Sequence, residues 1–161
     1  MPENQSGIYF FQDALAELYP FTETELGFYK EVLDFNSVSA NKKISWSYEL
    51  IKEFEELWDW NILNSNKSVF EKVTLGLLFP DKVDLPKCDC FRMEEFCEDI
   101  CCWQNAERLN YQSNLFYEDT DTYVKIAILC DTEFITEEIL FDVYINEDKS
   151  DLQSFMNASF S

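Results

Sequence analysis

Leu33-Asp34-Phe35-Asn36-Ser37-Val38-Ser39-Ala40-Asn41-Lys42-Lys43-Ile44 is written a second time 25 residues on, as Trp58-Asp59-Trp60-Asn61-Ile62-Leu63-Asn64-Ser65-Asn66-Lys67-Ser68-Val69. Asp, Asn, Asn and Lys recur in register, and the apolar positions match as Leu33/Trp58, Phe35/Trp60, Val38/Leu63 and Ile44/Val69. A period of this size marks stacked supersecondary units, each too small to bury its apolar face alone. The expected unit is a helix that ends in an aromatic-Asp-aromatic corner, then an Asn-rich loop leading to the next helix. Asp and Asn suit such corners because their short side chains bond nearby backbone groups.

Working outward, Ile8 to Leu18 reads as a helix stopped by Pro20. Thr22 with Glu25 three residues on is a capping box that opens a second helix. Ser47 is a good N-cap for a third, whose stripe is Leu50, Ile51, Phe54, Leu57 and Trp58. Val69 to Phe79 reads as either helix or buried strand, with Pro80 and Pro86 bracketing a connector. Arg92 to Leu109 reads as a helix with Met93, Phe96, Cys97, Ile100 and Trp103 inward. The β-branched and aromatic run Tyr123 to Cys130 predicts a strand. Ile139 to Ile145 is either a helix opened by Thr136 or the second arm of a hairpin. The tail, residues 146–161, lacks periodicity and is expected to fray. The fold class expected is therefore α+β, predominantly helical: a repeat-like N-terminal two thirds and a small C-terminal strand or hairpin element, in a single domain of residues 1–161.

The run Ile44-Ser45-Trp46-Ser47-Tyr48-Glu49-Leu50-Ile51, leading to Trp58-Asp59-Trp60 and Asn66, resembles a short, often tandem unit of uncharacterised bacterial and phage proteins. The resemblance covers residues 33–70 and implies small stacked helical units with no known chemistry. The second copy departs from it, carrying Glu71 and Lys72 where the first has Trp46 and Ser47. Val83-Asp84-Leu85 falls one more period on, but Pro86 and Cys88 break the match.

Charge narrows the function classes. The chain has 32 Asp and Glu against 12 Lys and Arg, a net −20 with no histidine, and residues 111–161 carry 11 of the acids but only two of the bases. Phosphate binding requires positive charge, so nucleic acid is excluded as a direct ligand. The first residues, Met1-Pro2-Glu3-Asn4-Gln5, have no basic or apolar run of a signal peptide, and no stretch has the length of a membrane span. A cytoplasmic location in a bacterium or infected host cell is expected, with reduced cysteines.

Cys88, Cys90, Cys97 and Cys101 form the candidate metal site. On a helix Cys97 and Cys101 would face one way, and the Cys-x-Cys before it could fold back to complete a zinc tetrathiolate. Cys102 stands beside them. A thiol-lined core is the leading alternative, so no cofactor is expected in the first instance, and redox chemistry is the third reading. The pairs Glu137/Glu138 and Asp119/Asp121 are what chance gives in so acidic a chain. With no histidine, no Gly-rich phosphate loop and no nucleophile elbow, the chain reads as a non-enzyme.

A small, acidic, catalytically bare protein joined to this unit is similar in type to acidic anti-CRISPR proteins. That likeness implies an inhibitor that binds a basic nucleic-acid-handling effector, with contacts at Glu118, Asp119, Asp121, Asp131, Glu133, Glu137, Glu138 and Asp142. An immunity protein against a nuclease toxin is the alternative with the same physics. A zinc-stabilised structural module is another, and a helical domain whose acidity serves only solvation is the last.

Overall fold

The computed structural model describes residues 2–90 and 97–160, except the side chains of residues 2–6. The described residues form helices and no sheet; the nearest approach to β structure is one isolated bridge between Cys97 and Asn105. In chain order the helices are α1 (Pro2–Leu18), α2 (Glu23–Tyr29), α3 (Phe35–Ser39), α4 (Tyr48–Glu53), α5 (Trp60–Ser65) and α6 (Lys67–Phe70). They continue as α7 (Leu75–Leu78), α8 (Ala106–Leu109), α9 (Asn114–Glu118), α10 (Thr120–Asp131), α11 (Glu137–Tyr144) and α12 (Ser150–Phe160).

The repeat is built on caps. Asp34 Oδ1 accepts from the Asn36 N–H at 3.0 Å and opens α3; Asp59 Oδ1 accepts from the Ile62 N–H at 3.1 Å and opens α5. The Asn-rich stretches expected as loops are thus the short helices themselves, because each Asp satisfies the first orphan donors of a turn. Asn41 and Asn66 follow at equivalent places, both fully buried. Asn41 Nδ2 donates to the carbonyls of Ala16 and Tyr19 at 2.9 and 2.8 Å. Asn66 Nδ2 donates to those of Asn41 and Ser39 at 2.7 and 3.0 Å. One link therefore recurs at a separation of 25 residues, from Ala16 to Asn41 and from Asn41 to Asn66, which makes the end of α1 the first layer of the stack. Between the layers Trp46 donates to the Asn41 carbonyl at 2.8 Å and packs edge-on against Trp58, with Phe35 and Phe54 beside them.

Ser47 caps α4, and Leu50, Ile51, Phe54 and Trp58 of its stripe are buried, whereas Leu57 lies outside. Both arms of the Thr22/Glu25 capping box are formed. The ambiguous stretch after Val69 resolves into α6 and α7. Gly76 in α7 has no room for a side chain: a Cβ there would lie 2.9 Å from the Asp84 carbonyl oxygen.

The C-terminal strand and hairpin are overturned. Residues 123–130 lie in α10, with Asp119 as N-cap, and residues 139–145 lie in and just after α11, capped by Thr136. Tyr123, Ile126 and Cys130 recur at i, i+3 and i+7 and are buried; burial at that period outweighs the modest strand preference of the β-branched residues. The tail expected to fray contains α12, whose Leu152 and Met156 enter the core. The helix expected over Arg92 to Leu109 is confined to α8 in its described part; Arg92, Met93 and Phe96 lie outside the described residues, Cys97 is in the isolated bridge, and residues 98–104 form bends and turns. Helix α1 runs through the centre, burying Phe11, Ala14, Leu15 and Ala16 against α3, α10 and α11. Gln12 Nε2 donates to the Val143 carbonyl at 2.9 Å, and the Tyr144 hydroxyl donates to the Gln12 carbonyl at 2.6 Å.

Candidate metal centre

The connector after α7 turns back at Asp99. One Asp99 oxygen accepts the N–H groups of Lys87 and Cys88, and the other accepts that of Cys101 at 3.0 Å. These backbone donors hold the Asp99 carboxyl below its ordinary value, the Cys101 N–H contributing most. One carboxylate thus ties the two cysteine-bearing segments together.

The result is a cluster of four thiols, Cys88, Cys90, Cys97 and Cys102, whose sulfurs all lie within 4.8 Å of one another. Sulfurs about 2.3 Å from a tetrahedral zinc are roughly 3.8 Å apart, so a small contraction suffices to bind. Three of the sulfurs accept an N–H from two residues on: Cys97 from Asp99 and Cys102 from Gln104, each at 3.4 Å, and Cys88 from Cys90. Such donors favour thiolates, and the Cys90 N–H is the main cause that pulls the Cys88 thiol below its ordinary value. The Cys90 thiol, hydrogen-bonded to those of Cys97 and Cys88, is pushed up to about 12. Protons therefore leave this cluster unevenly, because each new thiolate opposes the next. A divalent cation removes that opposition, and the donor set suits zinc.

Three of the four expected ligands are in the cluster, but the fourth is Cys102 and not Cys101. The i, i+4 reasoning needed a helix, and the turn at Asp99 replaces it. Cys102 is 1% exposed, while Cys101 turns its side chain to a neighbouring cleft that it lines with Trp103, Arg108 and Phe70. Burial is the main cause that pushes the Cys101 thiol up. Cys130 is buried in α10, its thiol pushed up to about 12 chiefly by burial. The six cysteines are free thiols.

Two supporting residues were not singled out from the sequence: Asp99, and Arg108 in α8. Asn105 caps α8 through the Arg108 N–H at 3.1 Å and donates to the Cys97 carbonyl at 3.1 Å. The Arg108 guanidinium then reaches from Cys101 to Asn64 in the second repeat unit.

The acidic residues fall in three places. Glu118, Asp119 and Asp121 surround the start of α10; Asp119 accepts from the Thr122 N–H, and Asp121 pairs with Lys125 at 3.0 Å. Asp131 and Glu133 lie at its other end, about 18 Å along the axis. Asp131 pairs with Lys43 at 3.3 Å, and Glu133 has a left-handed backbone with φ 62°. Glu137, Glu138 and Asp142 gather with Asp151 around Phe141, which is 43% exposed, and together they line one shallow concavity. A cavity of about 390 Å³ between the end of α1 and α10 is lined by Glu17, Lys42, Lys43, Tyr123 and Ile128 among others. The Glu17 oxygens accept from the hydroxyls of Ser113 at 2.5 Å and Tyr123 at 3.1 Å. Comparison with protein-family models, curated proteins and solved structures finds no match to the chain.

Proposed function

We propose that the chain is a non-enzymatic binding protein, stabilised by zinc at Cys88, Cys90, Cys97 and Cys102, that blocks a basic nucleic-acid-handling partner. The observation that carries the binding reading is the meeting of Glu137, Glu138, Asp142 and Asp151 around the half-exposed ring of Phe141. An aromatic anchor ringed by charge suits a protein interface: the ring supplies buried area, and the carboxylates supply steering and register. A groove that ordinarily holds phosphates is a complementary surface. A CRISPR-type effector is the first partner class, and a nuclease toxin is the second.

Nuclease cleavage measured with and without the purified chain tests this reading, using one CRISPR effector and one nuclease toxin. Inhibition by the native chain that weakens at high salt, and that is lost in Glu137→Lys/Glu138→Lys/Phe141→Ala with helical content unchanged, supports it. Inhibition untouched by that triple variant rejects this surface.

Zinc is supported by the four converging thiols and their backbone donors. Its role here is structural: the centre joins the connector to the turn before α8. A purified chain with one equivalent of zinc, lost in Cys88→Ser/Cys97→Ser, is the expected result of elemental analysis.

A further inference from the structure

Arg108 is 8% exposed, and a buried guanidinium needs a counter-charge. Its partners are neutral. Nη1 donates to the Cys101 carbonyl at 2.6 Å, Nη2 to Asn64 Oδ1 at 2.7 Å, and Nε to the Asn64 carbonyl. Its Cζ lies over the Phe70 ring, 4.1 Å from the centroid. Among the described residues no carboxylate pairs with it, although the chain has 32 acids and the exposed lysines Lys43, Lys52 and Lys67 each hold one. Among the described residues Arg108 is the buried arginine, and it has no acid partner. The end of the four-residue helix α8 supplies only a fraction of a charge.

The residue next to the one whose carbonyl Arg108 grips is Cys102, a member of the thiol cluster. Four thiolates on a divalent ion carry a net charge of −2, four neutral thiols carry none. From this we infer that Arg108 is the charge-balancing, positioning residue of the metal centre: metal loading of the thiolates completes its electrostatics, and through Asn64 it locks the loaded centre onto the second repeat unit. The inference rests on the metal reading of the four cysteines. It explains why an arginine stands here, since only the planar fork can span the Cys101 carbonyl and both oxygens of Asn64 while stacking on Phe70. It also makes a sign distinction. With metal, Arg108 is compensated and stabilising; without metal, it is a buried cation with neutral partners.

The test titrates zinc against a chromogenic chelator, and cobalt by its thiolate charge-transfer spectrum, in the full chain and in Arg108→Met, with thermal unfolding of apo and loaded forms. The expected result is an unchanged tetrahedral cobalt spectrum in Arg108→Met, with zinc affinity lowered by about tenfold or more. Its loaded form loses more melting temperature relative to the loaded native chain than its apo form loses relative to the native apo chain. Arg108→Lys keeps the charge without the fork and should recover part of the affinity; Arg108→Gln serves the same comparison if Arg108→Met does not fold. Equal zinc affinity in native and Arg108→Met chains, or equal melting deficits with and without metal, overturns the role of Arg108 alone. A native chain that takes up no zinc overturns the metal reading and this inference with it.

Discussion

Asn66→Ala deprives the buried Ser39 carbonyl of its donor and the Ser68 N–H of its acceptor, while the Asn41 carbonyl keeps the Trp46 indole donor. Each unsatisfied buried group costs about 1–3 kcal/mol, so urea unfolding should show a loss of roughly 2–4 kcal/mol. Asp34→Ala removes an exposed cap and should cost only about 1 kcal/mol by the same measurement. The difference separates the two recurring letters of the repeat: Asp starts a helix, Asn joins layers. Their recurrence was legible in the sequence, but which carbonyls Asn41 and Asn66 bond was not, since those lie 25 or so residues away. Glu17 was equally hidden. It is 5% exposed, and burial is the main cause that raises its carboxyl above the ordinary 4.5. Above pH 4.5 the unfolded chain has released this proton while the native chain still holds it, so this group's contribution to stability falls as pH rises through that window. In Glu17→Gln the urea midpoint should therefore decline less between about pH 4.5 and pH 7 than in the native chain.

Helix α10 shows how an element can be misread from composition. In a strand Val124, Ile126 and Ile128 would share one face. In the helix Ile126 is fully buried while Val124 and Ile128 are 42% and 55% exposed. Ile126→Ala should cost about 2–5 kcal/mol, whereas Val124→Thr and Ile128→Thr should stay within about 0.5 kcal/mol. Period rather than residue type held the answer, with Asp119 and Thr122 as the start signal. The thiol cluster was legible in part, and its one error has the opposite cause, a helical period assumed where a turn runs. Cys88, Cys90 and Cys97 were legible as ligands, but the choice between Cys101 and Cys102 depended on whether a helix or a turn ran through Asp99. Gly76 tests the packing of that connector. Gly76→Ala puts a Cβ against the Asp84 carbonyl and should cost about 1–3 kcal/mol in urea unfolding.

At the scale of the whole molecule, a net charge of −20 opposes compaction in every part at once. Raising ionic strength from about 0.01 to 0.15 M shortens the screening length from about 30 to 8 Å, so the melting temperature should rise with salt. Hydrogen exchange with and without a chelator would divide the chain. Residues 86–90 and 97–110, held by Asp99, Asn105 and the thiols, should lose protection on metal removal, while α1 and α10 keep theirs. No helix of the described residues is long and apolar enough to cross a membrane.

The link from Ala16 to Asn41 and from Asn41 to Asn66 acts as a ruler, because each asparagine reaches a carbonyl 25 residues back. A gene that copied residues 42–66 in frame would place a new asparagine at that same reach, and the protein would grow by one storey. Copying 24 or 26 residues would set every later asparagine against the wrong carbonyl. Length variation in such a lineage should therefore come in whole multiples of the ruler, with slips of one residue purged as misfolded.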